Sequence, residues 1–170
     1  ALIEVPVVTA QGHASRLRLH RANGGTHGLL WFPALGVPAG KYDKLAAALA
    51  EQGVSCAVHE WRGTGSSSLR ARRGVDWGYL DLVDGEAEAM LGLARRELPQ
   101  SPVHAVGHSL GGHVALMHAA RHPERRVASV ILASSASPHH RGYPPPFSLG
   151  VYGFAWLALR GFALLTLRSF

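Results

Sequence analysis

The stretch Val106-Gly107-His108-Ser109-Leu110-Gly111-Gly112 decides how this chain is read. A short apolar run, 103–106 (VHAV), precedes it, and an alanine-rich helical pattern, 110–121, follows. Strand, sharp turn and helix around Gly-x-Ser-x-Gly describe a nucleophile elbow. The serine at such a bend takes a strained backbone conformation, and Gly107 and Gly111 remove side chains that would clash there. The bend lifts the Ser109 hydroxyl clear of the sheet edge. It also sets that hydroxyl at a helix N-terminus, where peptide N–H groups favour a developing negative charge. The alternative is a glycine-punctuated turn in which Ser109 only caps the helix. The strand before it and the helix after it favour the elbow.

Upstream, residues 28–34 (GLLWFPA) form a nearly continuous apolar run, which suits a central strand covered on both faces. Pro33 belongs at its end, since proline cannot donate to the ladder. Residues 35–40 read as a loop. Residues 41–52 read as a helix with Tyr42, Leu45, Ala46, Leu49 and Ala50 on one buried face, closed by Gly53. Residues 54–59 are the next strand, followed by the glycine- and serine-rich loop 61–68. A longer helix spans 79–98, with Leu80, Val83, Ala87, Leu91, Ala94 and Leu98 on one side. After the elbow helix, 127–133 is a further apolar strand. Alternation of strands and helices from residue 28 onward specifies an α/β fold, a mainly parallel sheet with helices on both faces. Ahead of it, 3–9 and 15–21 read as an antiparallel edge hairpin about the Gln11-Gly12 turn, with Leu17 and Leu19 alternating with Arg16 and Arg18.

The 170 residues suffice for one domain with a substantial core. A hydrophobic content of 47% against 16% charged residues excludes disorder. Cys56 is the single cysteine, so no internal disulfide forms, and its strand position reads as a small buried thiol. The net charge of +6 comes from scattered arginines. The densest run, Arg70-Ala71-Arg72-Arg73, reads as a solvated loop, and with no recognised nucleic-acid module beside it no nucleic-acid partner is expected. The first residues show no basic-then-apolar leader pattern, and a cytoplasmic location is expected.

These residues together resemble the α/β-hydrolase superfamily. GHSLGGHVAL (107–116) is similar to its nucleophile motif. Glu60-Trp61-Arg62-Gly63-Thr64-Gly65-Ser66 resembles its Asp-x-Arg-Gly-x-Gly-x-Ser loop, with Glu60 at the usual aspartate. His122-Pro123-Glu124-Arg125-Arg126-Val127 resembles its passage into the sixth strand. Phe32-Pro33-Ala34-Leu35-Gly36-Val37-Pro38 is similar to a bacterial subgroup near the serine-aminopeptidase and monoacylglycerol-lipase-like hydrolases. The resemblance covers about 3–135 and implies a hydrolase core there, with 136–170 a loop and the start of a helical lid.

It further implies that Ser109 attacks a carbonyl carbon and forms an acyl-enzyme. Two donors would receive the oxyanion: the N–H of Leu110, and an N–H of the loop after the 28–34 strand. Aligning Pro33-Ala34 with the usual His-Gly puts the second donor at Leu35, with Gly36 as the alternative. The expected substrate is a small acyl ester, and no metal or organic cofactor is implied. Acyl transfer or amide cleavage on the same fold is the second reading, and a non-catalytic fragment or pseudo-enzyme used for binding is the third.

The third reading rests on the missing acid and base. A serine hydroxyl needs a base that a carboxylate orients. In this superfamily they follow the serine in the order Asp or Glu, then His. Beyond Ser109 the only carboxylate is Glu124, expected at the opposite end of the sheet. The positions after the sixth strand read Ser134-Ser135-Ala136-Ser137. The chain therefore reads as the N-terminal two-thirds of such an enzyme. His139 and His140, near the active-site edge, read as an exposed loop at the start of the cap, with a substitute base as the less favoured reading. His108 is expected to turn away and pack. His118 and His122 stand at a spacing metals use, yet no acidic or cysteine ligand is expected to accompany them, and they read as a polar helix face. The apolar stretch 147–170 reads as the opening of the lid. Membrane association and packing in a dimer are its alternatives, and Arg160 near the middle argues against a span.

Overall fold

Alternation along the strands sorts the core into two layers. The computed structural model describes residues 1–124 and 127–135, together with Pro144, Gly153 and Leu157. The chain divides into two compact units, Ala1–Ser135 and Ala136–Phe170, and the first holds every described strand. Strand β1 (Leu2–Val8) pairs antiparallel with β2 (Ala14–His20) from Leu2↔His20 to Val8↔Ala14. This is the expected hairpin. Leu17 and Leu19 are fully buried, while Arg16 and Arg18 ion-pair with Glu4. β2 continues antiparallel onto β4 (Val54–Val58). β3 (His27–Phe32) lies parallel between β4 and β5 (Val103–His108), and β6 (Val130–Ala133) is parallel to β5. The six-stranded order is β1-β2-β4-β3-β5-β6.

Several boundaries move by one to three residues, and the expected helix over 41–52 becomes a 3-10 turn, Ala39–Tyr42, followed by a helix over Asp43–Glu51. β3 stops at Phe32 because Pro33 has no N–H to give the ladder. β6 starts at Val130 rather than 127, although the Ala128 N–H already bonds the Val103 carbonyl at 2.8 Å.

Successive side chains of a strand point to opposite faces. Leu30, Phe32 and Ala57 belong to the larger core cluster, whereas Leu29, Trp31, Cys56 and Val58 belong to the smaller one. The smaller cluster is covered by a 3-10 turn, Ala39–Tyr42, and helix α1 (Asp43–Glu51), through Ala39, Tyr42 and Ala46. The larger is covered by α2 (Glu88–Glu97) and α3 (Leu110–Arg121), through Leu91, Ala94 and Val114. The helices therefore flank both faces of the sheet, as the alternating pattern requires.

Within the helices, two residues leave their expected faces. Leu45 of α1 is 43% exposed. Leu80 is 55% exposed because the expected single helix over 79–98 contains a π-helical segment, Asp81–Ala87. A π turn holds an extra residue, so the apolar stripe shifts phase across it. Val83, Ala87, Leu91 and Ala94 keep their places inside, and Glu86 is brought in with them. Cys56 is buried as expected, and burial pushes its thiol up to about 12, which leaves it unreactive.

Among the described residues no helix is long and apolar enough to cross a membrane. The expected lid over 147–170 lies outside the described residues apart from Gly153 and Leu157, as do His139 and His140.

Candidate functional site at the elbow

Ser109 sits between β5 and α3 with φ 53° and ψ −117°. This is a left-handed φ that non-glycine residues rarely hold without compensation. The surroundings compensate. The Ser109 N–H donates to the Ala133 carbonyl at 3.0 Å, and the Gly112 N–H closes a turn onto the Ser109 carbonyl at 3.0 Å. A Cβ on Gly107 would lie 2.2 Å from the Gly112 nitrogen, and one on Gly111 would lie 2.1 Å from the Phe32 oxygen. Glycine at both positions lets α3 press directly on the ends of β5 and β3. The Ser109 side chain makes no capping hydrogen bond, so the N-cap reading of this serine fails. Ser109 is half-buried, and its hydroxyl has no hydrogen-bond partner among the described residues. Leu110 opens α3, and its N–H has no intrahelical acceptor.

The loop after β3 is held at several points. Trp61 Nε1–H donates to the Pro33 carbonyl at 2.8 Å. The Ala34 N–H donates to the Tyr42 hydroxyl at 3.0 Å. The Val37 N–H closes a turn onto the Ala34 carbonyl at 3.2 Å, and the Ala39 N–H donates to Glu60 Oε1 at 3.1 Å. Pro38 has no N–H. The amides left without an acceptor among the described residues are those of Leu35 and Gly36, the two positions the sequence nominated. Leu35 itself is exposed, and Gly36 holds a positive φ of 72° that suits glycine.

Glu60, at the usual aspartate of its motif, clamps the neighbouring loop. Its carboxylate accepts the Thr64 hydroxyl at 2.8 Å and, more loosely, the Ser66 N–H at 3.4 Å. A Cβ on Gly65, at φ 39°, would stand 2.0 Å from Glu60 Oε2, so only glycine fits against this carboxylate.

Beneath the loop lies a buried ionic group that the sequence did not announce. Glu86 is fully buried, accepts from His59 Nε2 at 2.8 Å and is ion-paired with the Arg62 guanidinium. Burial pushes its carboxyl up, but the hydrogen bonds from His59 and Arg62 outweigh it, and the net shift is downward. The signal was available: Glu86 stands three residues after Val83 and beside Ala87, inside the apolar stripe. A second unannounced residue is Tyr42, whose hydroxyl also bonds His108 Nδ1 at 2.8 Å. His108 packs against Tyr42, ring edge to face, as expected of it.

The reading of His118 and His122 needs correction, because carboxylates do accompany them. His118 Nε2 bonds Glu88 Oε2 at 2.9 Å, and His122 Nε2 bonds Asp84 Oδ1 at 2.8 Å. These partners come from α2 and the π segment, 30 and 38 residues away in sequence, where no local pattern reveals them. The arrangement joins the end of α3 to the π segment and α2 through these hydrogen bonds and the Arg121–Asp84 ion pair. Among the described residues no group of three or more ligating side chains is placed to hold a metal ion. Glu124 approaches His122 Nδ1 at 3.6 Å, on the α3 C-terminal side away from the elbow, and is not a partner for Ser109.

Comparison with known proteins agrees with this architecture. Residues 25–166 match the family model described as serine aminopeptidase, S33. No curated protein matches the sequence significantly. A thermostable carboxyl esterase from Bacillus coagulans superposes with a TM-score of 0.69 at 19% identity, covering 90% of this chain and 51% of that one. An α/β hydrolase from Penicillium sp. sh18 gives 0.67 at 22% identity, covering 91% and 54%. An esterase from Exiguobacterium antarcticum gives 0.64 at 21% identity, covering 84% and 50%. The chain spans about half the length of these structures, and the likeness is one of fold. Elbow, strand order and family match agree: the chain belongs to the serine aminopeptidase S33 family, within the α/β-hydrolase superfamily.

Proposed function

We propose that Ser109 is the nucleophile of a serine hydrolase acting on carboxylic esters of modest size. The observation that carries this reading is the strained Ser109 at the end of β5, next to the end of β3, its hydroxyl and the Leu35 and Gly36 amides having no hydrogen-bond partner among the described residues. In the proposed reaction Ser109 Oγ bonds to the carbonyl carbon and its proton passes to a base. The oxyanion takes hydrogen bonds from the Leu110 N–H and the Leu35 N–H, with Gly36 the alternative second donor. Collapse expels the alcohol, which leaves with that proton, and water then cleaves the acyl-serine to acid and free Ser109. A fixed donor is worth roughly a hundred- to thousandfold in rate. Among the described residues no histidine bonds Ser109 Oγ, so the base is assigned to no described residue.

The esterase neighbours support an ester substrate. The description of the matching family, an aminopeptidase, favours amide cleavage as the second reading. Both are tested on short-chain p-nitrophenyl esters and aminoacyl p-nitroanilides. Ester turnover by the wild type that disappears in Ser109→Ala is the expected result. Turnover confined to the anilides would favour the second reading, and turnover unchanged in Ser109→Ala would remove this serine from the chemistry.

A further inference from the structure

We propose that Tyr42 is a positioning residue that locks the elbow to the loop carrying the second oxyanion donor, an inference that rests on Ser109 being the nucleophile. Tyr42 Oη has two partners among the described residues. One is the Ala34 N–H at 3.0 Å, and the other is His108 Nδ1 at 2.8 Å. Ala34 immediately precedes Leu35, and His108 immediately precedes Ser109. One hydroxyl therefore ties together the residues just before the candidate donor and just before the candidate nucleophile, 74 positions apart in sequence.

The proton inventory gives the link a direction. A phenol carries one proton and accepts through its lone pairs. Its oxygen accepts from Ala34, and in the proposed arrangement its one proton lies on the line to His108 Nδ1, with the imidazole proton on Nε2. The ring that holds the hydroxyl is itself fixed. Tyr42 is 9% exposed, packs against Trp31 with centroids 5.5 Å apart, and meets His108 edge to face at 6.1 Å.

Oxyanion stabilisation depends on donors held in place before charge develops. The Pro33 carbonyl is fixed from the other side by Trp61, so the Pro33–Ala34 peptide is gripped at both its oxygen and its nitrogen. Releasing the nitrogen lets the Leu35 amide swing. The bond to His108 carries the same constraint to the strand end from which Ser109 projects.

The test uses a fluorophosphonate, which Ser109 Oγ attacks at phosphorus with loss of fluoride. Labelling rates over a range of probe concentrations separate the maximal rate, kinact, from the binding constant, KI. Tyr42→Phe keeps the ring and removes the hydroxyl. Its kinact should fall on the order of tenfold, less than for outright removal of a donor, with KI within about twofold. Amide hydrogen exchange at Ala34 should quicken in the same variant. His108→Asn, whose amide oxygen can stand where Nδ1 stands, should keep the wild-type rate, and His108→Leu should lose it. That pair gives an answer even if Tyr42→Phe folds poorly. Wild-type labelling with Tyr42→Phe or His108→Leu reacting equally fast overturns the role of Tyr42 and leaves the Ser109 reading standing. No labelling of the folded wild type overturns both.

Discussion

At the scale of single residues, the site is defined by what has been left out. Ser109 holds φ 53°, a conformation that costs about 1–3 kcal/mol. The missing side chains of Gly107 and Gly111 let β5, α3 and β3 close around it and hold it there. Gly111→Ala would put a carbon 2.1 Å from the Phe32 oxygen, where neither backbone segment can yield cheaply. It should lower stability by about 3 kcal/mol or more, the range reached when a core backbone contact is overpacked. Urea unfolding monitored by tryptophan fluorescence measures this, and a loss under about 1 kcal/mol would show that the elbow is looser than described. These glycines were legible in the sequence, because the motif is local. Tyr42 was legible only as a buried helix residue. Its hydroxyl reaches 8 residues back and 66 residues forward in the chain, and no periodicity encodes a bond of that kind.

The helical elements carry most of the charged contacts, and these set how the fold responds to acid. Asp84, on the π segment, accepts from Arg121 Nε at 3.0 Å and from His122 at 2.8 Å. Arg121 chiefly, and His122 after it, hold its carboxyl down at about 2, against an ordinary 3.8. A carboxyl depressed by folding stabilises the native state at pH values above its unfolded value. That contribution drains away as the pH falls from about 4 towards 2. Asp84→Asn should therefore be less stable than wild type at pH 5, with the gap closing towards pH 2. Thermal midpoints across that range test it, and a gap independent of pH would assign the loss to packing instead. His118 titrates in a different window. Burial lowers its pKa below the ordinary 6.5 despite Glu88, so below that value protons bind the unfolded chain first and stability declines. The positions of these helices followed from their apolar stripes. The π turn and the ion pairs did not, because a phase shift within a helix and a partner on another helix leave no local pattern.

For the whole molecule, sequence periodicity was enough to place the sheet. Alternation in β2 and the continuous apolar runs of β3 and β5 specified which strands are half-covered and which are central. The order β1-β2-β4-β3-β5-β6 then follows the expected α/β scheme. It brings the ends of β3 and β5 side by side, so that a strained serine shares one edge with a loop two of whose amides have no acceptor among the described residues. The sequence nominated both partners, Leu35 and Ser109, but only the folded chain shows that the other amides of that loop are already taken, by Tyr42, by Glu60 and by a turn. The central claim is that this edge makes one hydroxyl reactive above all others in the chain. Peptide mapping by mass spectrometry after brief exposure of the folded protein to a fluorophosphonate tests it most directly. A single adduct on the peptide containing Ser109, absent after prior unfolding, is the expected result. An adduct on a different serine, or equal modification before and after unfolding, would contradict it.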